Sequence, residues 1–87
     1  MKIELENGFA IELAEDSLDD IDIFESLVEI QRGNVSLLPD TARRLIGDDG
    51  YRRLKDSCRD EKGKAKTSDV VAALGEILKR AGEGKKN

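Results

Sequence analysis

Apolar side chains alternate with charged or small ones through the first thirteen positions, at Ile3, Leu5, Phe9, Ile11 and Leu13. Alternation of this kind predicts two half-buried strands, with Glu6-Asn7-Gly8 between them as the turn. A two-residue Asn-Gly loop would pair Leu5 with Ala10 and Ile3 with Glu12, leaving the apolar side chains of the two strands on opposite faces. A three-residue loop pairs Leu5 with Phe9 and Ile3 with Ile11, gathers Leu13 onto the same face, and puts Gly8 where a bulge needs a left-handed residue. The hairpin is therefore expected over residues 2–13. Two strands are marginal alone, so their apolar face must rest on helices, and their outer edges stay open unless something covers them.

Beyond the hairpin the apolar period becomes helical. Ser17 is a candidate N-cap for a helix over 18–32, with Asp19 and Asp20 in its first turn and Gly33 at its end. On this helix Ile21, Ile23, Phe24, Leu27, Val28 and Ile30 fill an arc of about 180°, wider than the stripe one small core usually covers. Ile23 and Ile30, on one border, are the surplus. Either the hairpin and the other helices cover the whole arc, or this border meets a partner or a second subunit. Asn34 or Ser36 can cap a second helix over 37–46, with Pro39 tolerated in its first turn. Gly47 stops it, and Asp48 starts a third over 48–59, whose apolar stripe is Tyr51, Leu54 and Cys58. A polar loop leads to Thr67 and a fourth helix over 68–81. There Val70, Val71, Ala73, Leu74, Ile77, Leu78 and Ala81 fall within about 160°, the cleanest amphipathic pattern in the chain. Gly75 sits inside this pattern, off the apolar arc, at a cost of about 1 kcal/mol relative to alanine. Gly82 is the expected stop. The pattern predicts a mainly α fold of α+β type: an N-terminal β-hairpin packed on about four short helices, one globular domain over residues 1–82, and a tail over 83–87.

Composition narrows the chemistry. The chain has 87 residues, 38% hydrophobic and 39% charged, with only Phe9, Phe24 and Tyr51 as aromatics. That describes an aliphatic-cored domain rather than a disordered one. One cysteine cannot form an internal disulfide, no apolar run approaches the roughly 20 residues that cross a bilayer, and the opening residues do not resemble a signal peptide. A reducing cytoplasm is the expected setting. Charge is divided unevenly: residues 1–31 carry ten acids against Lys2, whereas residues 32–87 carry fourteen Lys or Arg against nine acids, for a net −4 overall. Such a dipolar chain can associate head to tail or hold two different partners.

The chain contains no histidine, so the usual base at neutral pH and the commonest transition-metal ligand are both missing. Cys58 has no histidine to activate it and lies on an inward stripe, as a small core residue would. Asp16, Asp19, Asp20 and Asp22 lack the glycine and the closing glutamate of a calcium-binding loop and read as charges at a helix start. No phosphate-cradling glycine loop is present. No enzyme activity, cofactor or metal is expected.

Arg43-Arg44 and Arg52-Arg53 stand on two short helices joined through Gly47, a layout that invites a helix-turn-helix reading. The acidic balance, and Asp48 and Asp49 at the start of the would-be recognition helix, oppose nucleic acid. These four arginines are either a solvated face paired with nearby acids or a patch that docks acidic partners.

The stretch Leu38-Pro39 through Leu45-Ile46-Gly47-Asp48-Asp49-Gly50-Tyr51-Arg52-Arg53-Leu54-Lys55, then Arg59-Asp60-Glu61-Lys62-Gly63, then the Val70–Leu78 helix, resembles the small tail assembly chaperones of long-tailed phages and prophages of Gram-positive bacteria. The front, Lys2-Ile3-Glu4-Leu5-Glu6-Asn7-Gly8-Phe9, is similar to that group's opening hairpin. The resemblance implies a non-enzymatic role: binding the long, helical, aggregation-prone tape measure protein and keeping it soluble while tail tube subunits assemble around it. It implies action in the cytoplasm of the bacterial host, absence from the mature virion, and self-association along the tape measure protein. The surplus border of the first helix makes Ile23 and Ile30 the candidate hydrophobic contacts, and the basic pairs make Arg43, Arg44, Arg52 and Arg53 the candidate contacts for acidic partners. Many such families also make a longer product by ribosomal frameshifting, whose extension recruits the major tail tube protein. Lys85-Lys86-Asn87 can be encoded by the adenine run such slippage uses. A small helix-turn-helix regulator of DNA and a stand-alone protein-interaction adaptor or inhibitor are the alternatives.

Overall fold

Strands β1 (Lys2–Glu4) and β2 (Ala10–Glu12) pair antiparallel with Ile3 opposite Ile11. The turn between them has the three-residue form: the Leu5 amide donates to the Phe9 carbonyl at 2.8 Å, and the Gly8 amide to the Leu5 carbonyl at 3.0 Å. Gly8 lies at φ 92°, the left-handed region that the bulge requires. Ile3, Leu5, Phe9, Ile11 and Leu13 are all buried on one face. The computed structural model describes residues 1–84, so the tail positions Lys85, Lys86 and Asn87 lie outside the described residues.

Helix α1 spans Ile21–Gln31, starting later than the expected Ser17 cap. Tight turns place the Ser17 amide on the Ala14 carbonyl and the Asp19 amide on the Asp16 carbonyl, both at 3.0 Å, which carries the chain past Ser17 before the helix can begin. Asp20 takes the capping role. Its backbone is extended, and its carboxylate accepts from the Asp22 amide at 2.9 Å and the Ile23 amide at 3.3 Å. At the far end the Gly33 amide reaches the Ile30 carbonyl at 3.0 Å and the Asn34 amide the Glu29 carbonyl at 2.9 Å, closing the helix over a glycine at φ 106°.

After a 3₁₀ turn at Val35–Leu37, α2 (Leu38–Ser57) consists of two helical limbs that break at Gly47, as the two helices expected over 37–46 and 48–59 do. Gly47 lies at φ 79° and ψ 167°, and the limbs meet there at a kink. Neither Asn34 nor Ser36 caps it: the Ser36 hydroxyl is given to the Asn34 side-chain oxygen at 2.7 Å. Asp48, expected as a cap, pairs with Arg43 at 3.5 Å. The 59–65 segment is ordered by Asp60, whose carboxylate accepts from the Lys62 and Lys64 amides at 2.9 and 3.0 Å. Helix α3 then runs Thr67–Gly84, through Gly82 instead of stopping there and into the stretch expected as tail.

The fold is mainly α with a small β part, in the order β1, β2, α1, α2, α3. The hairpin face meets Ile23, Leu27 and Ile30 of α1, Leu38, Leu45, Tyr51 and Leu54 of α2, and Val70, Leu74, Ile77 and Ala81 of α3 in one core. Gly50 is also buried, on the second limb of α2. A Cβ there would sit 2.7 Å from Ile11 Cδ1 and 3.1 Å from Ile46 Cβ, so the limb lies close against the hairpin and any larger residue would have to push the Ile11 side chain aside.

Candidate protein-docking surface

The wide apolar arc of α1 is covered on only one side, and the covered border is the opposite of the one expected. Ile23 and Ile30 are 6% and 2% exposed, whereas Ile21 and Phe24 are 67% and 58% exposed. Ile23 and Ile30 are therefore core residues and not a contact surface. The physical reason is symmetry: periodicity gives the width of an arc, but α2 and the 3₁₀ turn, packed against α1, decide which half is buried. Ile21, Phe24 and Val28 fall at i, i+3 and i+7, one line along the helix.

Beside this line lies an open apolar groove of about 510 Å³ between α1 and α3, lined by Leu18, Phe24, Leu27, Val28, Gln31, Arg32 and Leu78. Leu27 is buried beneath it, and Leu18, Val28 and Leu78 are half-buried. The sequence signal for this site was the arc itself. No signal in the sequence joined Leu78 to it, because the fourth-helix stripe gives no information about which residues end at the rim of the core.

Gly75 lies next to the groove, on α3 facing α1. A Cβ at this position would meet the Gln31 side-chain nitrogen at 3.4 Å, the movable end of a flexible side chain. Gly75→Ala is expected to stabilise the protein by up to about 1 kcal/mol, read as a raised urea midpoint with unchanged slope.

The four arginines are exposed, and each is engaged within the chain. Arg43 pairs with Asp48 and lies 5.3 Å from the centre of the Tyr51 ring. Arg44 reaches Asp20 of α1 at 3.7 Å. Arg52 and Arg53 share Asp49, Arg52 by a hydrogen bond from Nη2 and Arg53 from Nε at 3.2 Å. The Arg52 hydrogen bond, with Arg53 adding to it, holds the Asp49 carboxyl below the ordinary value of 3.8. That tie is thus fully present above about pH 3.8 and is lost only as the pH falls through the lowered value.

Arg53 departs most from its expected role as a contact for acidic partners. Its Nη1 donates to the Ala10 carbonyl at 3.0 Å and its guanidinium lies 5.6 Å from the Phe9 ring centre, so it clamps α2 onto the hairpin and takes part of the strand edge expected to be open. Arg53→Ala should cost about 1 kcal/mol, combining an exposed charge-assisted hydrogen bond with a cation–π contact; chemical denaturation measures it.

Among the described residues no group of histidine, cysteine or acidic side chains is arranged to hold a metal ion, and no helix is long and apolar enough to cross a membrane. Cys58 is half-buried, 3.9 Å from the Ser57 hydroxyl. No protein-family model, curated protein or solved structure matches the chain.

Proposed function

We propose that this chain is a phage tail assembly chaperone that binds the tape measure protein and keeps it soluble while tail tube subunits assemble around it. The observation that carries the reading is the uncovered apolar face of α1, where Ile21 and Phe24 stand in solvent beside an apolar groove. A domain this small gains nothing in folding from leaving two large side chains out of its core, whereas a protein that holds a helical, aggregation-prone client needs such a face. The acidic first 31 residues against the basic remainder give copies a means of lying side by side along that client. Repeated weak contacts would then add up as avidity. The same reading places the protein in the cytoplasm of the bacterial host and outside the mature virion, with a longer frameshifted product recruiting the major tail tube protein.

Light scattering of the complex co-expressed with a tape measure protein tests it. The chaperone reading expects many copies per tape measure chain. A single copy on one stoichiometric partner would make the protein an adaptor or inhibitor instead, and salt-sensitive capture of duplex DNA by the free protein would make it a regulator.

A further inference from the structure

We infer that the groove between α1 and α3 receives one amphipathic α-helix whose apolar stripe is flanked by lysines or arginines, with Phe24 as the main contact. The inference rests on the chaperone reading for its client and names the chemistry of the segment that client presents. The groove has a buried floor at Leu27 and apolar sides at Phe24, Val28 and Leu78, the form in which a helix lays down one face. Helix α1 has 11 residues, about 16 Å at 1.5 Å per residue, so the seated helix is about three turns long.

Charge decides the occupant. Along the outer border of the exposed stripe α1 carries Asp22, Glu25 and Glu29, and between Ile21 and Gln31 it has no lysine or arginine. On the α3 flank Glu76 is paired with Arg80 at 3.6 Å and Lys79 is exposed, so the unpaired acids beside the groove lie on the α1 side. Arg32, at the groove's end, is paired with Glu29 at 3.4 Å. A second copy has no further apolar face with which to fill the groove. Among the described residues its only other strongly exposed large apolar side chain is Val35, and docking α1 on α1 would bring two sets of carboxylates together at a desolvated contact. An acidic client helix meets the same repulsion. A helix with basic flanks gains attraction to Asp22 and Glu25 while its apolar stripe covers Phe24 and Ile21.

The test titrates the full chain with two synthetic peptides of about 14 residues, each with leucines at i, i+3, i+4, i+7 and i+11 and flanked by lysines in one and glutamates in the other. Fluorescence anisotropy should show binding of the lysine peptide only, weakening as salt rises. Phe24→Ala should weaken it by about 10- to 100-fold, the loss of most of a buried phenyl contact, with the thermal unfolding of the protein unchanged because Phe24 is exposed. Val35→Ser, an exposed apolar change outside the groove, should bind as the wild type does. Equal binding of the glutamate peptide, unchanged affinity in Phe24→Ala, or a wild-type dimer that Phe24→Ala dissociates in sedimentation equilibrium would each overturn the assignment. The two levels separate on co-expression with the tape measure protein. If wild type and Phe24→Ala both keep that protein in solution, the groove assignment falls and the chaperone reading stands. If wild type fails while the peptide results hold, the chaperone reading falls and the groove remains.

Discussion

Ile30→Ala is expected to lower the free energy of unfolding by about 2–5 kcal/mol, because it removes a nearly fully buried side chain and leaves a cavity between α1 and the rest of the core. For a domain of 87 residues that is a large part of the total, and the variant should be partly unfolded near physiological temperature. The measurement is a urea titration followed by circular dichroism. A variant that loses client binding but melts as wild type does would return Ile30 to the surface role its sequence position suggested. Phe24→Ala is the counterpart, since it should alter binding and leave stability alone.

Gly47→Ala should destabilise by about 1–3 kcal/mol. At φ 79° and ψ 167° this residue occupies a region essentially closed to side chains bearing a Cβ, although nothing lies within 4 Å of where that Cβ would be. The cost is therefore conformational strain, not a clash. Two outcomes of the substitution differ in kind. Either the kink persists and stability falls, or α2 straightens and the second limb leaves the hairpin, exposing Ile11 and Gly50. Hydrogen exchange at the Ile3 and Ile11 amides, paired across the hairpin, distinguishes them, and persistence of the kink is expected because Tyr51 and Leu54 anchor the second limb in the core.

Much of the fold could be read from local rules. Loop length and the alternation of Ile3, Leu5, Phe9 and Ile11 left one hairpin register with a single apolar face, and the structure has it. Helix positions followed from apolar spacing and Gly33 and Gly47 marked two of the stops, while other ends did not follow, because several residue types compete for each cap. Asp20 prevailed over Ser17 once the 14–19 turns had formed. Gly82 did not end α3, since glycine permits a helix stop without compelling one. The docking surface was legible only by half. The arc of α1 announced that it was too wide for one core, but the choice between its Ile23–Ile30 border and its Ile21–Val28 border depends on where distant segments pack, and that is tertiary information. Gly50 was invisible for the same reason: its close neighbour, Ile11, is 39 positions away in the chain.

The measurement closest to the central claim is the solubility of a tape measure protein expressed with and without this chain, read by sedimentation of the lysate. The account predicts that the tape measure protein pellets alone, remains in the supernatant with the wild-type chain, and pellets again with Phe24→Ala. A tape measure protein that pellets equally in the presence of the wild-type chain would contradict it.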